Sequence, residues 1–228
     1  MSMLRVALPK GRLFAPAAAL FSHQGCQTLD QLLTGRRLIH EEPAAGLRFV
    51  LVKPMDVPVY VEYGAADLGV VGQDVLRELG RDVYEPLRLG FGRCRVVVAG
   101  PPHLQASDWA RRPTLRVATK YPRLARQHFL NRGLSIEVVT VAGSVELAPQ
   151  VGLADLIVDV VDSGRTLAAA RIEQTAARNA RPPRLISVRF PTRRHMWFAD
   201  GGSGSSISIE FAPGRETTMP RPTEPRLA

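Results

Sequence analysis

The stretch "LADLIVDVVDSGRTLAAA", residues 153 to 170, holds the residues best suited to chemistry. An apolar run, Leu156 to Val161, carries Asp159 inside it and ends in Asp162, Ser163, Gly164, Arg165 and Thr166 before an alanine-rich segment. A strand, a tight loop and a helix start in that order present backbone N–H groups to an anion. The hydroxyls of Ser163 and Thr166 add donors, and Gly164 lets the backbone approach closely, so the loop reads as a monophosphate cradle. Asp159 and Asp162 would repel a phosphate unless they face something else, and a carboxylate can accept from a vicinal diol, as on ribose. Phosphate plus ribose diol is a phosphoribosyl group. The same residues also fit a plain helix cap, with Asp162 or Ser163 capping the first turn; the whole cluster favours the phosphate reading.

A second group of cations stands at other strand ends. "ALPKGRL" puts Lys10, Gly11 and Arg12 just past the first strand-like run, at the carboxyl edge where open α/β sheets bind ligands. Arg36 and Arg37 in "TGRRLI" and Lys53 in "LVKPMDVPVYVEYG" occupy similar places. Lysine and arginine there suit a polyphosphate, although ordinary solvated loops carry such residues as well. No H-E-x-x-H, P-loop or G-x-S-x-G motif occurs, which argues against a zinc protease, a Walker ATPase and an α/β-hydrolase. Five scattered histidines offer no metal cluster, and Cys26 and Cys94 share no metal-type spacing, so both read as thiols in a reducing compartment.

The elements that must hold these residues alternate. Strand-like runs at Leu4 to Leu8, Leu47 to Val52, Leu68 to Val71, Val96 to Ala99, Leu115 to Ala118, Ile136 to Val141 and Leu156 to Val161 are interleaved with helical stretches. The helices are expected over Leu13 to His23, Asp56 to Tyr63, Asp74 to Gly80, Leu124 to Leu130 and Glu146 to Val151. That rhythm predicts βαβ units in mostly parallel sheet. "YGAADLGVVG" at 63 to 72 is echoed by "VGLADLIVDV" at 151 to 160, which suits two similar lobes with a ligand cleft between them. The expected boundary lies in "GFGRCRVVVAG". Lobe I is expected to span 1–94, with 185–200 returning to it as a strand over Leu185 to Phe190, and lobe II to span 95–184.

At 228 residues and 45% hydrophobic the chain can bury a substantial core. No segment approaches the roughly 20 apolar residues of a membrane helix, and "MSMLRVALPKGR" runs into a strand pattern instead of a signal peptide, so no membrane association and a cytoplasmic location are expected. The net charge of +9 comes without basic blocks interleaved with aromatics, which argues against nucleic acid. Nine arginines against four acids between Ala176 and Ala228 place most of the excess charge in the C-terminal part. That part also holds seven of the 18 prolines and "GGSGSS", and 201–228 is expected to be disordered.

"ALPKGRL", "DVPVYVEYGAADLGVVGQDVL", "RVATKYPRLARQHF" and "GSVELAPQVGLADLIVDVVDSGRTL" together resemble the short form of ATP phosphoribosyltransferase, the first enzyme of histidine biosynthesis, over about residues 4 to 167. The resemblance implies an α/β, two-lobed fold like the type II periplasmic binding proteins. It implies a Mg²⁺-dependent reaction in which N1 of the adenine of ATP attacks C1 of phosphoribosyl pyrophosphate, giving phosphoribosyl-ATP and pyrophosphate. It implies a hetero-oligomer with a regulatory subunit related to histidyl-tRNA synthetase. By motif, the family's phosphoribosyl pyrophosphate loop falls on Asp159 to Thr166, and the family's arginine in "S-R-K-L" falls on Arg36. Its frequent arginine before "x-x-D-V-P" is Lys53 here, which keeps the charge and loses the bidentate geometry. Catalysis then falls to Lys10, Arg36 and Lys53, with Arg12, Asp159, Asp162, Ser163, Gly164, Arg165 and Thr166 binding substrate. A non-catalytic two-lobed binding or sensor protein is the alternative reading.

The family pattern fails after Leu167, where "AAARIEQTAARNARPPRLISVRFPTRRHMW" keeps only "RLI" at 184 to 186. Arginine-, proline- and glycine-rich text without periodicity is what a GC-rich gene gives when read out of frame, so a frameshift and a genuine divergent C-terminus are the two readings, and resequencing decides between them. The amphipathic helix the family places after its returning strand is not expected here, because Pro191 and the glycines interrupt it.

Overall fold

The computed structural model describes residues 3–21, 26, 29, 37–104, 106–112, 114–161 and 183–187, and the backbone of 173–177, 196–200 and 207–211. Its core is two mixed sheets. The first contains β1 (Leu4–Pro9), β2 (Ile39–Glu42), β3 (Leu47–Val52), β4 (Leu68–Val71), β5 (Tyr84–Arg88) and β11 (Arg184–Ser187), in the order β2-β3-β1-β4-β11-β5. The second contains β6 (Arg95–Gly100), β7 (Arg116–Thr119), β8 (Glu137–Thr140), β9 (Leu156–Val161) and β10 (Glu173–Ala177), in the order β10-β6-β9-β7-β8. The chain passes from the first sheet to the second after β5 and back again after β10.

Period-two alternation explains why each sheet is covered on both faces. In the first, Leu4, Val6 and Leu8 of β1 join Phe49 of β3 and Leu185 of β11 in one cluster with Phe14 and Phe21. Ala7, Val52, Val71 and Ile186 point the other way, into a cluster with Val57 and Val61. In the second sheet Val97, Ala118 and Ile157 go to one side, and Val98, Val117, Leu156 and Val158 to the other, against Trp109 and Phe129. The helices on these faces are short: α1 (Phe14–Ala19), α2 (Val57–Glu62), α3 (Gln73–Leu79) and α4 (Pro122–Leu130).

The echoed Ala-Asp-Leu motif has the same structural use in both halves. Asp67 accepts from the backbone N–H of Arg5 at 2.8 Å and from its guanidinium at 2.9 and 3.1 Å, while its own N–H donates to the Arg5 carbonyl. Asp155 accepts from the Arg116 N–H at 2.8 Å and from Arg112, and its N–H donates to the Arg116 carbonyl. Each aspartate ties the start of one strand, β4 or β9, to the start of its parallel neighbour, β1 or β7.

Several expectations are corrected. Strands β2 and β5 were not anticipated, because an exposed edge strand carries little apolar alternation: Ile39 and Tyr84 are both exposed. The sheets are less parallel than predicted, since β2 runs antiparallel to β3, β6 to β9, and β11 to both β4 and β5. The helix expected over Glu146 to Val151 is a single 3-10 turn, Val145–Leu147, followed by turns. Pro149 and Gly152 account for this by breaking the helical backbone there. The strand expected over Leu185 to Phe190 is β11, ending at Ser187, and 188–190 lie outside the described residues. The next described element, β12 (Met196–Asp200), pairs antiparallel with β13 (Ile207–Phe211) as a separate hairpin instead of extending the first sheet. Within the stretch expected to be disordered, β13 is thus a strand, and its other residues lie outside the described ones.

Candidate active site

Parallel pairing places the first set of cations. Strands β1 and β3 run in register with Pro9 opposite Val52, and the Lys10 N–H donates to the Val52 carbonyl at 2.8 Å. Lys10 and Lys53 therefore leave neighbouring strands side by side at their carboxyl ends, and both are exposed. After Lys10 the chain turns at Gly11, whose φ of +84° lies in the region that favours glycine. The Gly11 carbonyl accepts from Phe14 N–H at 2.9 Å, so Arg12 rides on the turn that opens α1 and is exposed. Arg37 precedes β2, which pairs Ile39 with Val50 while the Leu38 carbonyl accepts from Leu51 N–H. That register brings Arg37 to the same end of the sheet. Arg36 lies outside the described residues.

In the second sheet Thr119 of β7 pairs with Val158 of β9, so Lys120 stands opposite Asp159. Lys120 Nζ lies 3.5 Å from Asp159 Oδ1, an ion pair without hydrogen-bond alignment, and that buried oxygen has no hydrogen-bond partner. Asp159 is followed by the last residues of β9. Asp162, Ser163, Gly164, Arg165 and Thr166 lie outside the described residues.

Sequence reasoning missed the residues that join the halves. Tyr121, 4% exposed, donates from its hydroxyl to Asp74 Oδ2 on α3 at 2.8 Å. Burial first, and then the Asp74 carboxylate, pushes this phenol far above its usual range and keeps it a donor. The backbone N–H of Tyr121 donates to Thr119 Oγ1 at 2.8 Å, and that hydroxyl donates in turn to the Val158 carbonyl at 2.6 Å. Lys120 Nζ sits 5.2 Å from the centre of the Tyr121 ring. Four residues after Asp74, Glu78 accepts from the N–H groups of Arg123 and Leu124, each at 2.9 Å. With Pro122 contributing no donor and the Ala125 N–H bonded to the Tyr121 carbonyl, the start of α4 has none of these donors left for an anion. Gly80, at φ +60°, leaves the space that the Arg123 guanidinium fills. An acidic pair four apart on a short helix reads from sequence as a solvated face, and no local signal marks Tyr121 as its partner.

Comparison with known proteins agrees with this architecture. A sequence model of the family described as ATP phosphoribosyltransferase matches residues 53–188. The chain belongs to that family. It is 49% identical over 167 residues to an ATP phosphoribosyltransferase of Caldanaerobacter subterraneus, covering 73% of this chain and 78% of that protein. It is 46% identical over 165 residues to the ATP phosphoribosyltransferase of Bacillus subtilis, covering 72% and 76%. Among solved structures it is similar to the ATP phosphoribosyl transferase (HisG:HisZ) complex from Thermotoga maritima, at 30% identity and a TM-score of 0.68 over 81% of this chain and 87% of that one. The periplasmic aliphatic sulphonate binding protein SsuA from Escherichia coli, at 14% identity and a TM-score of 0.51 over 83% and 62%, shares the fold alone. The expected two-lobed fold of type II periplasmic binding proteins is therefore that of this family.

Proposed function

We propose that the chain carries out the family's reaction, joining ATP through adenine N1 to phosphoribosyl pyrophosphate, with the substrates held between lobe I (1–94 with the returning β11) and lobe II (95–184). The observation that carries this reading is the register of β1 and β3, Pro9 opposite Val52, which brings Lys10 and Lys53 to the same carboxyl edge, with Asp159 near the carboxyl end of β9. On this reading Lys10, Arg12, Arg36 and Lys53 stabilise the charge that develops on departing pyrophosphate. Asp159 and Asp162 accept from the ribose hydroxyls, while Ser163, Gly164, Arg165 and Thr166 cradle the 5′-phosphate. Adenine N1 is already a nucleophile, so the residues' work is alignment of N1 with C1 and charge stabilisation.

The residues present fit a magnesium ion that arrives with the substrate. No group of three acidic, histidine or cysteine side chains suited to a metal is found among the described residues. Mg²⁺ usually takes one or two carboxylates and fills its remaining positions with water and phosphate oxygens. Asp159 Oδ1, buried and without a hydrogen-bond partner although Lys120 Nζ lies 3.5 Å away, is the described carboxylate oxygen that would hold such an ion. When bound, the ion would neutralise pyrophosphate charge. No helix among the described residues is long and apolar enough to cross a membrane; a cytoplasmic location accords with a biosynthetic role. The complex seen for the Thermotoga maritima relative supports a regulatory partner, related to histidyl-tRNA synthetase, for this chain also.

The test is an assay of purified protein, with and without that subunit, given ATP, phosphoribosyl pyrophosphate and Mg²⁺, following phosphoribosyl-ATP in the ultraviolet. Formation of product, with Asp159→Asn and Thr166→Ala each weakening phosphoribosyl pyrophosphate binding, is expected. The loss of one hydrogen bond to a charged ligand should cost about 1.5 to 3 kcal/mol. Binding unchanged in calorimetry for both variants would overturn the site assignment.

A further inference from the structure

Two short elements from different sheets meet at one place. Helix α3 follows β4 of the first sheet, and the Tyr121 loop and α4 follow β7 of the second. Asp74 and Glu78, one helical turn apart on α3, both reach across: Asp74 accepts the Tyr121 hydroxyl, and Glu78, only 8% exposed, accepts two backbone N–H groups at the start of α4. These three bonds span 45 to 47 residues of chain. On the second side the attachment continues into the sheet. Tyr121 is fastened through Thr119, which is fully buried, to the carbonyl of Val158, and the next residue on β9 is Asp159. The Tyr121 hydroxyl is thus the end of a short covalent and hydrogen-bonded chain that begins at Asp159 and finishes on lobe I.

We propose that Tyr121 is a positioning residue for the transfer reaction: its hydroxyl, bonded to Asp74, sets the lobe separation at which the lobe I cations and Asp159 hold the same phosphoribosyl pyrophosphate molecule. This rests on the assignment of Asp159 and the cations given above. Glu78 fixes where α4 begins and the hydroxyl of Tyr121 fixes the approach, so the two acidic residues divide the task. A ligand spanning both lobes then binds a preorganised cleft, and removal of the hydroxyl makes ligand binding supply the ordering.

The inference predicts that Tyr121→Phe, which keeps the ring and its packing, weakens phosphoribosyl pyrophosphate binding in calorimetry about tenfold or more in the presence of Mg²⁺. Asp74→Ala should do the same, and Asp74→Asn, whose amide oxygen still accepts, should recover most of the affinity. The double variant Tyr121→Phe with Asp74→Ala should bind no more weakly than either single variant, because both remove one interaction. A merely structural hydrogen bond would lower the melting temperature and leave the affinity of the folded protein unchanged. Wild-type affinity in folded Tyr121→Phe, or in folded Asp74→Ala should the first variant fail to fold, overturns the proposal while Asp159→Asn still binds weakly. Unchanged binding in Asp159→Asn instead overturns the site assignment beneath it.

Discussion

Two residues show how chemistry here depends on surroundings. Lys53, where the family resemblance leads one to expect arginine, stands beside Lys10 by strand register. An ammonium is a point charge without the planar fork of a guanidinium, so in the proposed site Lys53 would contribute charge more than orientation. Tyr121 is the opposite case, a neutral group whose protonation is secured by burial and by Asp74. Its titration has a definite sign. Below about pH 10 the phenol keeps its proton in both folded and unfolded chains. Above that, the unfolded chain releases a proton that the folded chain retains, so this group's contribution is lost as pH rises. Thermal melts at about pH 8 and about pH 10.5 should show the wild type losing more stability than Tyr121→Phe across that interval. Parallel losses in both proteins would count against a buried, protonated phenol.

At the scale of elements, the paired Ala-Asp-Leu segments are the clearest device. Asp67 and Asp155 each satisfy a backbone N–H at the start of a neighbouring parallel strand and an arginine side chain, Arg5 on β1 itself and Arg112 just before β7. Parallel strands have no hairpin turn to set their register, and an aspartate at this position sets it locally. Asp67→Ala and Asp155→Ala are each expected to destabilise by about 1 to 2 kcal/mol, below the full value for a charged hydrogen bond because the sites are partly exposed. The aspartates belong to different sheets, so the double variant should lose the sum within about 0.5 kcal/mol. Urea unfolding of the three variants checks both statements, and strong non-additivity would show that the halves are coupled through these residues.

For the whole molecule, the match to the family model ends at residue 188, just past the returning strand. The returning strand survives as β11, whose Leu185 and Ile186 are completely buried on opposite faces of the first sheet. Beyond it, β12 and β13 form only a two-stranded sheet, an arrangement that is marginal by itself. A version carrying a family-like C-terminus with its amphipathic helix should melt several degrees higher and scatter less light. Equal melting temperatures and equal assembly in the two versions would refute this.

How much was legible from sequence follows the range of the forces concerned. Buried strands such as Leu47–Val52 and Leu156–Val161 announce themselves because their alternation or apolar runs are local. The proposed phosphoribosyl segment and the cations at "ALPKGRL" could be proposed from sequence for a similar reason: the residue types required sit within a few positions of one another. The edge strands β2 and β5 lacked such a local signal, since half their surface faces water. The sequence by itself determined the two-lobed α/β class and the family. Only the tertiary structure decided that Lys10 and Lys53 leave neighbouring strands at the same edge, that Lys120 faces Asp159, and that Asp74 and Glu78 reach the other lobe. Those pairings join residues tens of positions apart, and strand register and the packing of α3 on α4 set them, neither of which leaves a short-range mark in the chain.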